Sequence, residues 1–426
     1  MISTGWFVGV VLVFAQASPA HGQPAEQEPS PEDPTEAEPE HPVAAEPPPV
    51  TSSPPQPPEV QRFDDVATEP ATPPVPGARP ADSVPLTQMD EISVPTARSR
   101  ITLNMFGNLS LEQTNSNHHL DFHLGGLGLL MIGRASPELE MVSEVVVESD
   151  DGETIIDLER MFLQWKNRRY EVGAGRTHTD LGYWSPAFHH GKWLQLTVDR
   201  PRAVRFEDDG GLLPIHNIGV WVTARTPIAH GTGRATVMIA NGRGRIVDDV
   251  RSSSDLNLAK AIIVHLGLED VGITGLRYGV SGSYDRIAPQ PIDARPALAD
   301  TPIDEVIANA YVAHRGSHWT VISELYDIIH RGGKATQSTF AGFAVVGYKI
   351  AHLVPFVMAE ARTTSGGNDP FFVPDSMSPR VTKFVEGTAG MRYELNTWSA
   401  LKFQLQVMRS QGRTSELGIV DWSIGL

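Results

Sequence analysis

The residues whose types could do chemistry are concentrated in one stretch of the chain, 176–216. Four histidines, four arginines and one lysine lie there, together with a short acidic run and several aromatic side chains. If such a stretch narrows a passage, charges of opposite sign on its two sides order water and select among ions. The candidate pore-constriction residues are Arg176, His178, His189, His190, Arg200, Arg202, Arg205, Glu207 and Asp208.

A metal site is the sharper alternative for the same stretch. His189 and His190 are adjacent, so on a strand they would face opposite ways, and they lack the i, i+4 spacing of helical zinc ligands. The acidic run 207–211 lacks the spaced oxygen ligands of a calcium-binding loop. From the sequence we therefore predict no metal site and no cofactor.

Nucleophilic catalysis also has little support. The sequence contains no cysteine, which excludes cysteine-based nucleophile or metal chemistry. The nearest match to a serine nucleophile elbow, 279–283, reads as a strand with small residues rather than a strand-turn-helix junction. We expect the chain not to be an enzyme, and we keep a barrel lipase or protease as an alternative.

The net charge of −17 is unevenly distributed. Residues 23–98 contain fifteen acidic and three basic side chains and twenty of the 34 prolines. Proline removes backbone donors, and so polar a segment cannot offset its ordering entropy by burial. We predict a disordered Pro/Glu/Ala-rich periplasmic linker, either a spacer or a partner-binding tail. The acidic balance argues against nucleic-acid binding.

The first residues resemble an export signal. An apolar run at 6–14 is followed by small residues, and it is too short to span a bilayer. Residues 1–22 are therefore predicted to be a signal peptide.

From residue 99 to 426 the sequence alternates between apolar and polar side chains. In a strand, neighbouring side chains point to opposite faces, so each such segment has one apolar and one polar face. Phe403, Leu405 and Val407 are expected to face lipid, and the polar residues between them, Gln404 and Gln406, to face the lumen. We place about sixteen strands, starting near 100, 119, 138, 154, 168, 217, 233, 256, 273, 304, 317, 337, 353, 381, 397 and 415.

The strand lengths and connections favour a membrane barrel over a soluble sandwich. Most segments have 9 to 14 residues, as tilted membrane-spanning strands do, and short joints alternate with long ones at 176–216, 286–302 and 363–380. The predicted fold class is all-β, a transmembrane antiparallel barrel in the bacterial outer membrane. About sixteen strands enclose a water-filled lumen, which favours transport.

The last strand ends on the last residue. Val420, Trp422, Ile424 and Leu426 form its apolar row, which suits a barrel that must pair its first strand with its last. It resembles the terminal strand by which the assembly machinery recognises bacterial outer-membrane proteins, except that Leu426 stands where an aromatic residue is expected. The resemblance implies this machinery as a partner.

A second resemblance lies at 157–176, an acidic strand, a turn and a strand ending in Gly-Arg. This pattern is similar to the phosphate-selective porin superfamily, and 181–191 resembles uncharacterised porin-like proteins. The resemblance implies a channel for passive diffusion of small polar or ionic solutes. Segment 176–216 is too long for an idle connector, so we expect it to be the constriction or an outer cap of this channel. A homotrimer is one candidate assembly. The resemblance does not imply phosphate selectivity. A structural or adhesion barrel is the remaining alternative.

Overall fold

The computed structural model describes residues 100–115, 120–150, 153–188, 191–207, 210–228, 230–245, 247, 257–289, 301–333, 335–364, 369–372 and 382–426. The predicted signal peptide (1–22) and linker (23–98) lie outside these residues.

The described chain is almost entirely strand. In chain order the strands are β1 (Arg100–Thr114), β2 (Leu120–Leu124), β3 (Leu127–Arg134), β4 (Leu139–Asp150), β5 (Glu153–Lys166), β6 (Tyr170–His178), β7 (His216–Ile228), β8 (Gly231–Ala240), β9 (Ala261–Glu269), β10 (Leu276–Ile287), β11 (Ile303–Arg315), β12 (Trp319–Gly332), β13 (Ala335–Tyr348), β14 (Leu353–Thr364), β15 (Phe384–Glu394), β16 (Ser399–Ser410) and β17 (Arg413–Gly425). A four-residue helix, α1 (Trp184–Ala187), lies between β6 and β7.

The strands form one closed antiparallel barrel. Each pairs with its sequence neighbour, and β1 also pairs with β17, so that Phe106 lies opposite Gly425. Both β2 and β3 pair with β1, and they are two halves of one strand interrupted at Gly125 and Gly126, which gives sixteen strands within the described residues. Closure satisfies the backbone groups that an open sheet edge would leave exposed.

The two ends of the barrel differ in their connections. At the end where β1 begins and β17 ends, successive strands follow each other after short connections, and we call it the short-turn end. These connections are 135–138, 167–169, 229–230, 270–275, 316–318, 349–352 and 395–398. Long connections lie at the opposite, long-loop end. One of them, 241–260, was not predicted, since the sequence was assigned a strand start near 256 whereas β9 begins at Ala261.

The outer surface is apolar. Phe403, Leu405 and Val407 are exposed on it, as predicted, and the side chains between them point inward. Around the short-turn end the exposed side chains are aromatic: Trp165, Tyr170, Trp319, Tyr348, Tyr393 and Trp398. An apolar band bordered by aromatic residues is the surface of a barrel that lies in lipid. Among the described helices, none has the length and apolar character needed to cross a bilayer.

Candidate functional site: a loop folded into the barrel

We call the segment between β6 and β7, residues 179–215, the inner loop. Its described parts fold into the barrel and contact inward-facing side chains of β8, β10, β12, β14 and β16. Its two ends leave neighbouring strands at the same level, because His178 and His216 are paired opposite each other.

Polar wall side chains bind the backbone of the inner loop. Backbone N–H groups at 182, 184, 198 and 202 donate to the side chains of Ser281, Glu324, Gln404 and Glu360, at 2.6 to 2.8 Å. In the other direction, Arg392 donates to the carbonyl oxygens at 193 and 195, and Lys402 to those at 192 and 197. The inner loop pairs only part of its backbone within itself, as in the turn of α1, and these bonds to the wall satisfy further backbone groups and fix the path of the loop.

The inner loop also carries an apolar core into the lumen. Leu181, Trp184, Val204 and Leu213 are at most 1 % exposed. They belong to one cluster with inward-facing residues of the wall, including Ile307, Ile322, Phe343 and Val345. The inward face of these strands therefore meets packed protein and not water, contrary to the expectation from the sequence.

Gln404 illustrates this correction. Its inward direction is as predicted, but the side chain is 2 % exposed and accepts the backbone N–H of Val198. A polar side chain on the inner face of this barrel therefore serves as an anchor for the inner loop.

Three of the candidate constriction residues are partly exposed, namely Arg176, Arg202 and Arg205. Arg202 Nε donates to Glu386 at 2.8 Å, and its backbone N–H donates to Glu360. Among the described candidates, these three arginines are the ones whose side chains are not buried.

Three other candidates are buried and hold the inner loop together. Arg200 donates to the carbonyl oxygens of Val204 and Phe188 and lies over the Phe206 ring. Glu207 accepts the backbone N–H of Ile215 at 2.6 Å, and His178 packs beneath the loop. The remaining candidates, His189, His190 and Asp208, lie outside the described residues.

Burial alone would raise the pKa of the Glu207 carboxyl, but the charge of His216 and its hydrogen bonds outweigh burial and lower it. The same competition lowers the pKa of Asp180, whose carboxylate is held by His265 and by Arg234. Both acids at the ends of the inner loop are therefore ionised and paired with cationic partners from the strands.

A cluster of possible metal ligands lies where the inner loop joins the wall. Glu159, His178 and His216 each offer one ligand atom, and these atoms lie within 4.8 Å of one another. Glu159 comes from β5 and the histidines from β6 and β7. The side chains of Glu159 and His216 are 9 % and 4 % exposed, and His178 is 5 % exposed.

A β-bulge brings Glu159 into this cluster. Arg160 pairs with Glu144 and Leu158 with Val145, so Glu159 is an extra residue in β5 and turns inward beside Arg160. Bulges re-aim side chains in this way near functional sites. The sequence contains a sign of this bulge that was missed. The outward-facing apolar residues are even-numbered up to Leu158 and odd-numbered from Met161 onward.

Another charged network joins the long connections after β8 and β14 to the wall. His330 on β12 lies between Glu305, at 2.8 Å, and Asp369, at 2.9 Å. Arg243, from the connection after β8, donates to Glu305 at 2.6 Å and to the carbonyl oxygen of Leu212 in the inner loop.

The fold is similar to solved outer-membrane proteins. An anion-selective porin from Comamonas acidovorans aligns with a TM-score of 0.53 at 12% identity, over 77% of this chain and 100% of that chain. An OmpF of Salmonella typhi, solved with daunomycin, aligns with a TM-score of 0.50 at 12% identity, over 76% and 97%. A loop-deletion mutant of OmpT, an outer membrane protein of Vibrio cholerae, gives 0.50 at 10%, over 77% and 99%. At these identities the likeness concerns the fold, a sixteen-stranded barrel of porin type.

No protein-family model matches the sequence. No curated protein matches it either.

Proposed function

We propose that this chain is an outer-membrane channel of porin type, through which small polar or ionic solutes diffuse and whose inner loop is the constriction. One observation carries the proposal: a loop of 37 residues is folded into a closed barrel and bonded to its inner wall. Long ordered loops inside a compact fold are usually functional.

The outer surface supports a membrane location. Its exposed side chains are mainly Leu, Val, Ile and Met, with an aromatic border at the short-turn end. On this proposal the short-turn end faces the periplasm, since short turns lie there in bacterial barrels.

The partly exposed arginines suggest how the channel selects. Arg205 lies near enough to Glu360 and Asp199 to act on both by its charge, and Arg202 and Arg205 also act on Arg362. Arg202, Arg205 and Arg362 thus lie close to one another, and on this proposal the part of their positive charge that the neighbouring carboxylates do not offset favours anions over cations in a passage beside them. Arg202 contributes less, because Glu386 neutralises it.

The test is planar-bilayer conductance of the purified full-length protein, with reversal potentials measured in a salt gradient. We expect Arg202→Ala together with Arg205→Ala to move the permeability ratio towards cations, with Arg205→Ala giving most of the change. The exposed Arg413, at the long-loop end of β17, provides a control substitution to Ala that removes the same charge away from the inner loop.

Absence of any single-channel conductance from folded protein would contradict the channel proposal. Unchanged selectivity in the double variant, with conductance intact, would instead place the passage away from these arginines and favour the reading of the loop as a cap.

A barrel enzyme is the rival function, and the serine nearest to a nucleophile motif has another role. Ser281 Oγ accepts the backbone N–H of Gly182 at 2.8 Å and donates to Asn309. Because this serine docks the inner loop, we propose that the chain is not an enzyme. Hydrolysis of ester or peptide substrates by folded protein, lost in Ser281→Ala, would contradict this.

The finer assignments belong to the same proposal. The pattern at 157–176 supports a relation to the phosphate-selective porin superfamily, and inhibition of chloride conductance by phosphate would test it. The pairing of β17 with β1 supports delivery by the barrel assembly machinery. A homotrimer is proposed as the assembled state, measurable by native mass.

A further inference from the structure

The cluster of Glu159, His178 and His216 has the composition of a transition-metal site. Two imidazoles and one carboxylate, each on a different strand, present ligand atoms within 4.8 Å of one another. Two histidines with one carboxylate are a ligand set used for zinc and for non-haem iron.

The surroundings of the histidines support this reading independently. His178 Nδ1 lies 3.2 Å from the backbone carbonyl oxygen of Ser185, a contact that places the ring proton on Nδ1 and the coordinating lone pair on Nε2. His216 Nδ1 lies 3.3 Å from Glu207, and its Nε2 lies 2.5 Å from Glu159. Metal-binding histidines are oriented by such carbonyl and carboxylate contacts on their second nitrogen.

The electrostatics also favour a cation at this point. His216 lies between two buried carboxylates, Glu159 and Glu207, so the protein has placed two negative charges around one imidazole. A divalent ion bound at this point would offset both of these charges.

We propose that Glu159, His178 and His216 bind one divalent transition-metal ion, with Zn²⁺ as the representative, where the inner loop joins the barrel wall. The site stands apart from the channel proposal, because metal binding is measurable whether or not the barrel conducts. Since Ca²⁺ and Mg²⁺ prefer all-oxygen ligands, neither should compete.

Binding requires a small rearrangement. Zinc binds nitrogen and oxygen ligands at about 2.0–2.2 Å, which separates tetrahedral ligands by about 3.3 Å. The pair Glu159 and His216 must therefore open from 2.5 Å, while the wider pairs of the cluster close from within 4.8 Å. The first change is about 0.8 Å and the others are at most about 1.5 Å, which is within the reach of side-chain rotation.

The experiment uses the purified full-length protein, stripped with a chelator and titrated with Co²⁺, Zn²⁺ and Ca²⁺. We expect one equivalent of Co²⁺ to give d–d absorption bands, which Zn²⁺ abolishes and Ca²⁺ leaves unchanged. His178→Gln and Glu159→Gln retain hydrogen-bonding side chains and should each weaken binding at least as much as loss of an outer-shell partner, about 10–100-fold.

His330→Gln is the matched control. His330 is also buried between two carboxylates, Glu305 and Asp369. Here, however, Arg243 Nη1 already binds Glu305, so a permanent positive charge stands where the proposed site has a second histidine. His330→Gln should leave the affinity for Co²⁺ unchanged. Folding of every variant is checked by the heat-dependent gel mobility that closed barrels show.

The absence of d–d bands at one equivalent of Co²⁺ in the wild-type protein would overturn the proposal by itself, whatever the variants do. Stoichiometric binding that persists in both His178→Gln and Glu159→Gln, or that is lost equally in His330→Gln, would overturn it as well. If a variant fails to fold, the wild-type spectrum and its response to Zn²⁺ and Ca²⁺ decide.

Discussion

Replacing Trp184 by alanine should release the inner loop from the lumen. Trp184 is 0 % exposed, and its ring lies 4.4 Å from that of Phe188 and 5.4 Å from that of Phe343 on the wall. Its backbone N–H is bonded to Glu324, so the backbone on either side is held in place and cannot easily close the cavity that remains. Removing a buried Trp side chain destabilises by about 3–5 kcal/mol.

Most of this loss should fall on docking of the loop, because the barrel is held by its own backbone ladder. At one factor of ten for every 1.4 kcal/mol, the equilibrium between docked and undocked loop shifts by about two to three and a half orders of magnitude. Single-channel recordings should then show a larger conductance state that the wild-type protein rarely visits. Trypsin should cut at Lys192, Arg202 or Arg205 in the variant faster than in the wild type.

Trp165→Ala is the matched control, since it removes the same side chain from the outer surface, where Trp165 is 43% exposed. It should leave both conductance and cleavage of the loop unchanged. The reasoning is refuted if Trp184→Ala folds and shows wild-type conductance and wild-type protection from trypsin.

Three further substitutions test the loop and the wall. Gly182 has a φ of +72°, and a Cβ there would lie 2.0 Å from Glu324, so Gly182→Ala should also undock the loop in the same conductance assay. Gly387→Ala is the control, because a Cβ at Gly387 meets nothing within 4 Å, and it should leave the loop docked. Leu405 is 68% exposed on the outer surface, so Leu405→Arg should cost about 2–4 kcal/mol if it lies near the midplane, in urea unfolding from lipid vesicles, and Leu405→Ala much less. Burial would raise the pKa of Asp369, but the hydrogen bond and charge of His330 and the N–H groups of Phe371 and Phe372 lower it. The stability that this carboxylate contributes is therefore complete above the usual carboxyl pKa of about 3.9 and is lost as pH falls through the lowered value. The stability difference between the wild type and Asp369→Asn should shrink in that range, and a constant difference would contradict the assignment.

The strands were predictable because a period of two is a local property of the sequence. The expected starts near 119, 353 and 397 agree within two residues with Leu120, Leu353 and Ser399. Of the sixteen expected strand starts, the one that differs most from the structure is that of β9, expected near 256 and found at Ala261. The connection before it carries apolar residues such as Leu256 and Leu258, which resemble a strand. Composition alone cannot distinguish such a connection from the strand it precedes.

The candidate site was predictable only in part. The length and charge of 176–216 identified the inner loop, but a linear sequence does not show which side chains of distant strands it meets. Glu324, Arg392 and Lys402 anchor the loop backbone, but the alternation alone does not distinguish them from other polar residues of an inner face. Glu159 was not among the candidates, since a regular alternation does not include the bulge that turns it inward.

Alternation of polar and apolar residues has the same appearance whether the inward side chains meet water or protein. What distinguishes the two cases here is the need of the inner loop for hydrogen-bond partners. The loop pairs part of its backbone within itself, and the other buried N–H and carbonyl groups need partners on the wall. Glu324 and Lys402 supply such partners while remaining 0 % exposed. Such residues are committed to holding the loop and are out of reach of a solute. On the proposed channel function, selectivity depends on the charged side chains that stay partly exposed beside the loop, above all Arg205. Substitutions of the buried anchors should then change the amount of open channel more than its preference among ions.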